Sequence, residues 1–305
     1  MTRVAVVDLG SNSTRLLVAD VTPDGIAELD RRSIVTRLGE GVEATGRLGA
    51  EPQARVLRVL DEYAQAIDRH GAGARIAVLT SAVRDAANGA AFTEEIRRRY
   101  GLDARTLSGD EEARLTFLGA TAARPHADGP LLVVDIGGGS TEIVSGTATG
   151  VGFHVSTQIG VVRHSERHLH HDPPHAEELE ALAADVRATV EREVPADVRA
   201  GAPHVIAVAG TATMAAAMDL ELEPYDAARV EGHRLSLDAL RARLAQLASV
   251  PVAERARTPG LHPERAPTIV AGVAILIEVL EAFGAGLVEV SDRDILWGCA
   301  LENGR

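Results

Sequence analysis

The 305-residue chain, 46% hydrophobic and 25% charged, has a globular composition and the length for two domains. Its net charge of −13 argues against DNA and against an anionic membrane surface as partners. Every Lys/Arg-type cation is arginine, and the lack of lysine excludes a Walker A loop, a Schiff-base enzyme and a lysine general base. The single cysteine, Cys299, excludes an internal disulfide and fits a reducing, cytoplasmic setting. The N-terminus shows no signal-peptide pattern, and no Cys/His set has zinc spacing. The greasiest stretch, 268–284, carries Glu278 and Glu281 and is too short to span a bilayer.

From the N-terminus, residues 4–7 (VAVV) and 15–20 (RLLVAD) read as strands flanking the turn DLGSNST, and 23–25 turns the chain into a third strand. Asn12 and Ser13 in that turn are small, polar and placed to touch a phosphate. Residues 31–46 are polar and glycine-punctuated and predict a loop, with Arg31, Arg32 and Arg37 on its surface. Helical spacing of Val56, Leu57, Leu60, Ala64 and Ile67 predicts a helix over 52–70, stopped by Gly71 and Gly73. A buried strand, 76–79, leads into Thr80-Ser81-Ala82-Val83-Arg84-Asp85, where Arg84 at a helix start can set a cation over a phosphate. A helix follows over 92–100. Ser108 and Glu111 then fit the capping box S-x-x-E. Glu111 folds back on its own N-terminus, and Glu112, rotated by about 100°, is left over. It serves either as a general base or as one more acid at a helix N-terminus.

Residues 124–129 (RPHADG) break the pattern and predict a boundary between domains 1–124 and 125–305. The strand 131–134 (LLVV) runs into DIGGGSTEI. Gly137, Gly138 and Gly139, followed by Ser140, let backbone N–H groups approach phosphate oxygens. Asp135 and Glu142, seven residues on, offer carboxylates to a divalent cation bridging to those oxygens. DLGSNST and DIGGGST share Asp8/Asp135, Gly10/Gly137, Ser13/Ser140 and Thr14/Thr141, with Leu9 facing Ile136, and each follows an apolar strand. Asp8 is thereby a metal candidate as well. The repeat predicts two related halves facing each other across a cleft.

Downstream, 144–155 predicts a hairpin through Gly150. Residues 160–171 (GVVRHSERHLHH) set His164, His168 and His171 nearly on one helical face, the arrangement of a metal or polyanion site, but the run reads rather as a solvated helix end. An amphipathic helix spans 174–194. The strand 205–208 ends in AGTAT, where Gly210 and Thr211 can cradle a phosphate or nucleotide. Helices over 235–247 and 268–283, a last strand 287–290 and a closing helix with core residues Trp297 and Cys299 complete the chain.

Taken together, DLGSNSTRLLV, TSAVRDAAN, SGDEEARLTFLGA, DIGGGSTEIV, AVAGTATMAA and VSDRDILWG resemble, in order, the exopolyphosphatase/guanosine pentaphosphate phosphohydrolase family. The resemblance implies an α/β, two-domain fold of the actin/hexokinase/Hsp70-like (ribonuclease H-like) type. It implies hydrolysis of the terminal phosphoanhydride of inorganic polyphosphate, or of guanosine pentaphosphate, with Mg²⁺, or Mn²⁺ in its place, and a monovalent cation as a further ion. It assigns the base to Glu112, a phosphate-facing cation to Arg84, metal contacts to Asp135 and Glu142, and loop contacts to 137–140, Asn12 and Ser13. It suggests a homodimer and a short form that acts on short chains, since longer members add a helical C-terminal region. Two rivals stay open. A kinase of the same superfold would pass phosphate to an acceptor, and a guanosine tetra- or pentaphosphate sensor would bind without turnover; intact Glu112, Asp135 and Glu142 speak against the sensor.

Overall fold

The computed structural model describes every residue except 24, 123, 125–128, 148–149, 202–203 and 305. The break expected over 124–129 lies mostly outside the described residues, as does position 24 of the expected 23–25 turn. The chain divides into two compact units, Met1–Ala123 with Asp294–Arg305, and Arg124–Arg293.

The first unit is built on a sheet of β1 Thr2–Leu9, β2 Ser13–Thr22, β3 Gly25–Val35, β4 Ala74–Leu79 and β5 Asp103–Thr106, in the order β3-β2-β1-β4-β5. Its main helices are α1 Ala50–His70, α2 Ser81–Asp85, α3 Gly89–Tyr100 and α4 Gly109–Thr121. Side chains alternate across a strand, so a strand covered on both faces is apolar throughout. In β1, Ala5, Val7 and Leu9 enter one core with Leu60, Tyr63, Phe92 and Ile96. Val4 and Val6 enter a second core, with Leu115, Ile295, Leu296 and Cys299. The strand β3 runs on to Val35, so Arg31 and Arg32 lie in an edge strand where a loop was expected. An edge strand tolerates charged side chains, which is why its sequence reads as a loop.

The second core explains why the closing helix, Ile295–Gly304, lies in the first unit rather than with 125–293: it covers the sheet face that α1 and α3 leave open. It meets α4 through glycines. A Cβ on Gly298 would sit 1.8 Å from the Leu115 carbonyl oxygen, and one on Gly119 1.9 Å from that of Asp294. Gly298→Ala is therefore expected to cost at least about 3 kcal/mol, since overpacking here strikes backbone. Urea unfolding of the variant checks this, and an unchanged midpoint would contradict so tight a crossing.

The second unit carries β6 Leu131–Ile136, β7 Thr141–Thr147, β8 Gly150–Thr157, β9 His204–Val208, β10 Arg234–Ser236 and β11 Leu287–Val290, ordered β10-β11-β9-β6-β7-β8. Its main helices are α5 Val161–His168, α6 Ala176–Glu193, α7 Ala209–Asp219, α8 Leu237–Ala248 and α9 Ile269–Ala282, the last buried all round from Ile269 to Leu280. Substituting β6, β7, β8, β9 and β11 for β1 to β5 reproduces the order and the strand directions of the first sheet. The repeated sequence motif thus marks a repeated topology, and the fold is the two-domain actin/hexokinase/Hsp70-like α/β fold. Among the described residues no helix is long and apolar enough to cross a membrane.

Candidate active site

In the first unit the β1–β2 turn is closed by the Gly10 N–H donating to the Ser13 carbonyl at 3.0 Å. Its carbonyls are held from behind: Thr36 and Arg37 N–H donate to Asn12 O at 3.0 and 2.9 Å, and Gly39 N–H to Ser11 O at 2.7 Å. The Ser11 hydroxyl meets that of Ser81 at 2.9 Å and accepts from the Ala82 N–H, tying the turn to the start of α2. Asn12 Nδ2 is buried and has no hydrogen-bond partner among the described residues. A buried amide donor left unpaired is costly and suits an anion that supplies the missing acceptor.

The capping box forms as the sequence requires: Ser108 Oγ accepts from the Glu111 N–H, and Glu111 Oε2 accepts from the Ser108 N–H at 3.0 Å. Glu112 turns inward and is 7% exposed. Burial pushes its carboxyl up to about 7, against the pull of Arg84 and with repulsion from Asp8 and Asp85 added. Arg84 Nη1 donates to Glu112 Oε2 at 2.8 Å and to the Leu107 carbonyl at 3.1 Å. A carboxyl poised near neutrality can take a proton at physiological pH.

The two repeats differ where charge is concerned. In the first unit Asp8 lies across the strand pair from Arg15, whose Nε and Nη2 both donate to Asp8 Oδ2, at 2.8 and 2.6 Å. Arg15 also pairs with Asp294. In the second unit the same cross-strand position holds Asp135 opposite Glu142. Both are buried, and Ser156 Oγ donates to Glu142 Oε1 at 2.7 Å. Two buried carboxylates paired across neighbouring strands offer several oxygen ligands in one place. The Asp135/Glu142 pair therefore has the donor chemistry for a hard divalent ion. Asp8 is already paired with Arg15 through one oxygen, while its Oδ1 has no hydrogen-bond partner among the described residues.

In the DIGGGS turn the Gly137 N–H donates to Ser140 O at 2.9 Å, matching Gly10 and Ser13. The first turn of α5 holds the loop carbonyls: Val161 N–H donates to Gly137 O at 3.0 Å, Val162 N–H to Gly138 O at 2.8 Å, and Arg163 Nε–H to Gly139 O at 2.9 Å. In a trans peptide the N–H points opposite to the C=O. The amides of Gly138, Gly139 and Ser140 consequently face away from α5, and none of them donates to backbone among the described residues. Amides directed this way have the donor chemistry to meet an anion.

At the third loop, Ala209 has φ 64, a left-handed conformation unfavourable for a residue with a Cβ. A Cβ on Gly210 would meet the Arg265 guanidinium at 2.3 Å, and Thr211 lies against Gly272 of α9. Arg265, in a proline-rich stretch with no periodic signal, was not legible as part of this constellation; nor was Arg15, which needs the strand register.

His171 is exposed, as the expected solvated helix end requires, but His164 and His168 depart from it. His164 is buried, and its Nδ1 accepts from the Gly160 N–H at 3.3 Å; His168 Nε2 meets Asp185 Oδ2 at 2.9 Å. The cause is α6, which lies over α5 and presents Asp185 to His164, Arg167 and His168. Burial lowers His164 to about 4. The unfolded chain then binds a proton that the native state refuses, so stability falls as pH drops from about 6.5 through 4, by about 3 kcal/mol at most. Urea midpoints across that range should slope less for His164→Asn; parallel slopes would contradict the assignment.

A sequence profile of the Ppx/GppA phosphatase family matches residues 17–300. The chain belongs to that family. It is 38% identical to Exopolyphosphatase 2 of Mycobacterium tuberculosis over 99% of this chain and 98% of that protein. The Ppx/GppA family member of Aquifex aeolicus superposes with a TM-score of 0.82 at 31% identity, covering 99% of this chain and 97% of the other. An exopolyphosphatase from Cytophaga hutchinsonii gives a TM-score of 0.89 at 25% identity, over 100% and 99% of the two chains. Within this Ppx/GppA chain, the elements that carry Asn12, Glu112, Asp135, Glu142 and the Gly137–Ser140 loop all fall at the ends of sheet strands or at the helix starts that follow them.

Proposed function

We propose that this chain is an exopolyphosphatase that hydrolyses the terminal phosphoanhydride of inorganic polyphosphate, short chains in particular. The observation that carries the reading is Glu112, a buried carboxyl held near neutrality and oriented by Arg84. Ionised, it takes a proton from a water as that water attacks the terminal phosphorus in line. The bridging oxygen of the shortened chain leaves with the electron pair. Arg84 fixes the carboxylate's orientation and lowers its affinity for the proton. In the second unit the Gly138, Gly139 and Ser140 amides bind phosphoryl oxygens; in the first, Asn12 Nδ2 is a donor suited to an anion. Phosphoryl transfer rests on positioning and charge stabilisation, so no covalent nucleophile is required.

Asp135 and Glu142 are the residues that would hold Mg²⁺, or Mn²⁺ in its place, because two buried carboxylates are paired across β6 and β7 there. When bound, the ion neutralises phosphate charge and polarises the phosphorus. Asp8 is better suited to its salt bridge with Arg15 than to a metal.

The deciding experiment is phosphate release from tripolyphosphate, long polyphosphate, guanosine pentaphosphate and ATP, with and without Mg²⁺. Release from polyphosphate, dependent on Mg²⁺, is expected. Preference for guanosine pentaphosphate would keep the chemistry and change the substrate. Turnover of ATP only with an added acceptor would make the protein a kinase, and binding of guanosine tetraphosphate without turnover a sensor.

A further inference from the structure

We propose that Arg163 is a positioning residue that sets the direction of the Ser140 amide in the phosphate loop; this rests on the functional reading above. The loop's three backing contacts are of two kinds. Gly137 O and Gly138 O accept from backbone amides of α5. Gly139 O has one described donor, and it is a side chain: Arg163 Nε–H at 2.9 Å. That contact governs the peptide joining Gly139 to Ser140. With no Cβ at Gly139, this peptide can rotate at little steric cost. Rotation would turn the Gly139 carbonyl towards the anion and the Ser140 N–H away from it, replacing an attraction by a repulsion. The guanidinium prevents this by occupying the carbonyl from behind.

The surroundings hold Arg163 in place for that task. Gly160 begins the turn with extended φ −149, and a Cβ there would lie 2.4 Å from Gly138 O, so α5 lies hard against the loop. His164 accepts the Gly160 N–H, and Asp185 of α6 faces His164, Arg167 and His168. The first turn of α5 is thereby fixed to both the loop and α6.

Three substitutions separate hydrogen bond, charge and bulk. Arg163→Gln puts an N–H donor on the same carbon that carries the arginine Nε, without charge. Arg163→Lys keeps the charge but puts a methylene where the donor was. Arg163→Met keeps the stem alone. Phosphate release from tripolyphosphate, tripolyphosphate affinity by calorimetry and the thermal midpoint are measured for all three. We expect Lys and Met to lose about tenfold to a hundredfold in kcat/KM, as a displaced group near the chemistry does, and Gln to stay within about threefold of wild type. Thermal midpoints should not follow this order. Activity retained by Lys and lost by Gln would assign Arg163 to direct charge contact and overturn the inference. Equal losses in all three, or none, would overturn it as well. If the wild type releases no phosphate, the functional reading fails separately. The loop inference is then decided by affinity alone, with Gln binding tripolyphosphate like wild type and Met binding it more weakly.

Discussion

Glu112→Gln should lower phosphate release by about 10²–10⁴-fold, the range for loss of a general base, and at the same time make the protein more stable above neutral pH. The two effects share one cause. The folded protein holds this carboxyl up to about 7, whereas an unfolded glutamate titrates near 4.3. Its contribution to stability is thus complete below the unfolded value and is lost as pH rises through the folded one. At pH 8 the native state carries an ionised carboxylate in a buried site, which costs about 3 kcal/mol relative to a neutral amide. The glutamine variant escapes that cost and loses the base. Wild-type kcat/KM should climb with pH through an apparent pKa near 7, and the midpoints of the two proteins should converge by pH 4. A variant that is inactive and also less stable at pH 8 would mean Glu112 is structural.

Glu142→Gln should abolish Mg²⁺ binding by calorimetry and reduce phosphate release by at least about 10²-fold, since a Lewis-acid ion is worth several kcal/mol. The first unit supplies an internal control. There the same cross-strand position is Arg15, and Asp8 is a salt-bridge partner. Asp8→Asn should leave Mg²⁺ affinity unchanged. Equal loss of Mg²⁺ affinity in both variants would contradict the distinction drawn between Asp8 and Glu142. Retained affinity in Glu142→Gln would remove the proposed site.

The loops were legible in the sequence because their chemistry is local. Three glycines in a row, a repeated Asp-x-Gly and an S-x-x-E box each state their own geometry within a few residues. The capping box went furthest: by accounting for Glu111 it singled out Glu112. What could not be read depends on partners distant in sequence. Arg15 and Glu142 occupy equivalent places, but nothing in either stretch says which carboxylate it opposes until the strands are in register. His164 shows a helical face without revealing that Asp185 and α6 cover it. Arg265 reaches Gly210 from 55 positions away, and no period links them. The closing helix reads as apolar and buried, which is right, yet its sequence does not say which sheet it covers.

That helix has a consequence for how the molecule is made. A ribosome delivers the chain from the N-terminus, and domains fold as units as they emerge. The strands β1 to β5 emerge first, but the sheet face formed by Val4, Val6, Leu17 and Ala19 awaits Ile295, Leu296 and Ala300, which come last. The second unit, Arg124–Arg293, is contiguous and can complete its core while the first is still half-covered. A nascent chain stalled before residue 294 would therefore carry one finished domain behind an unfinished one with an apolar face in water. Of the two units, the one whose synthesis starts earlier is the one completed later.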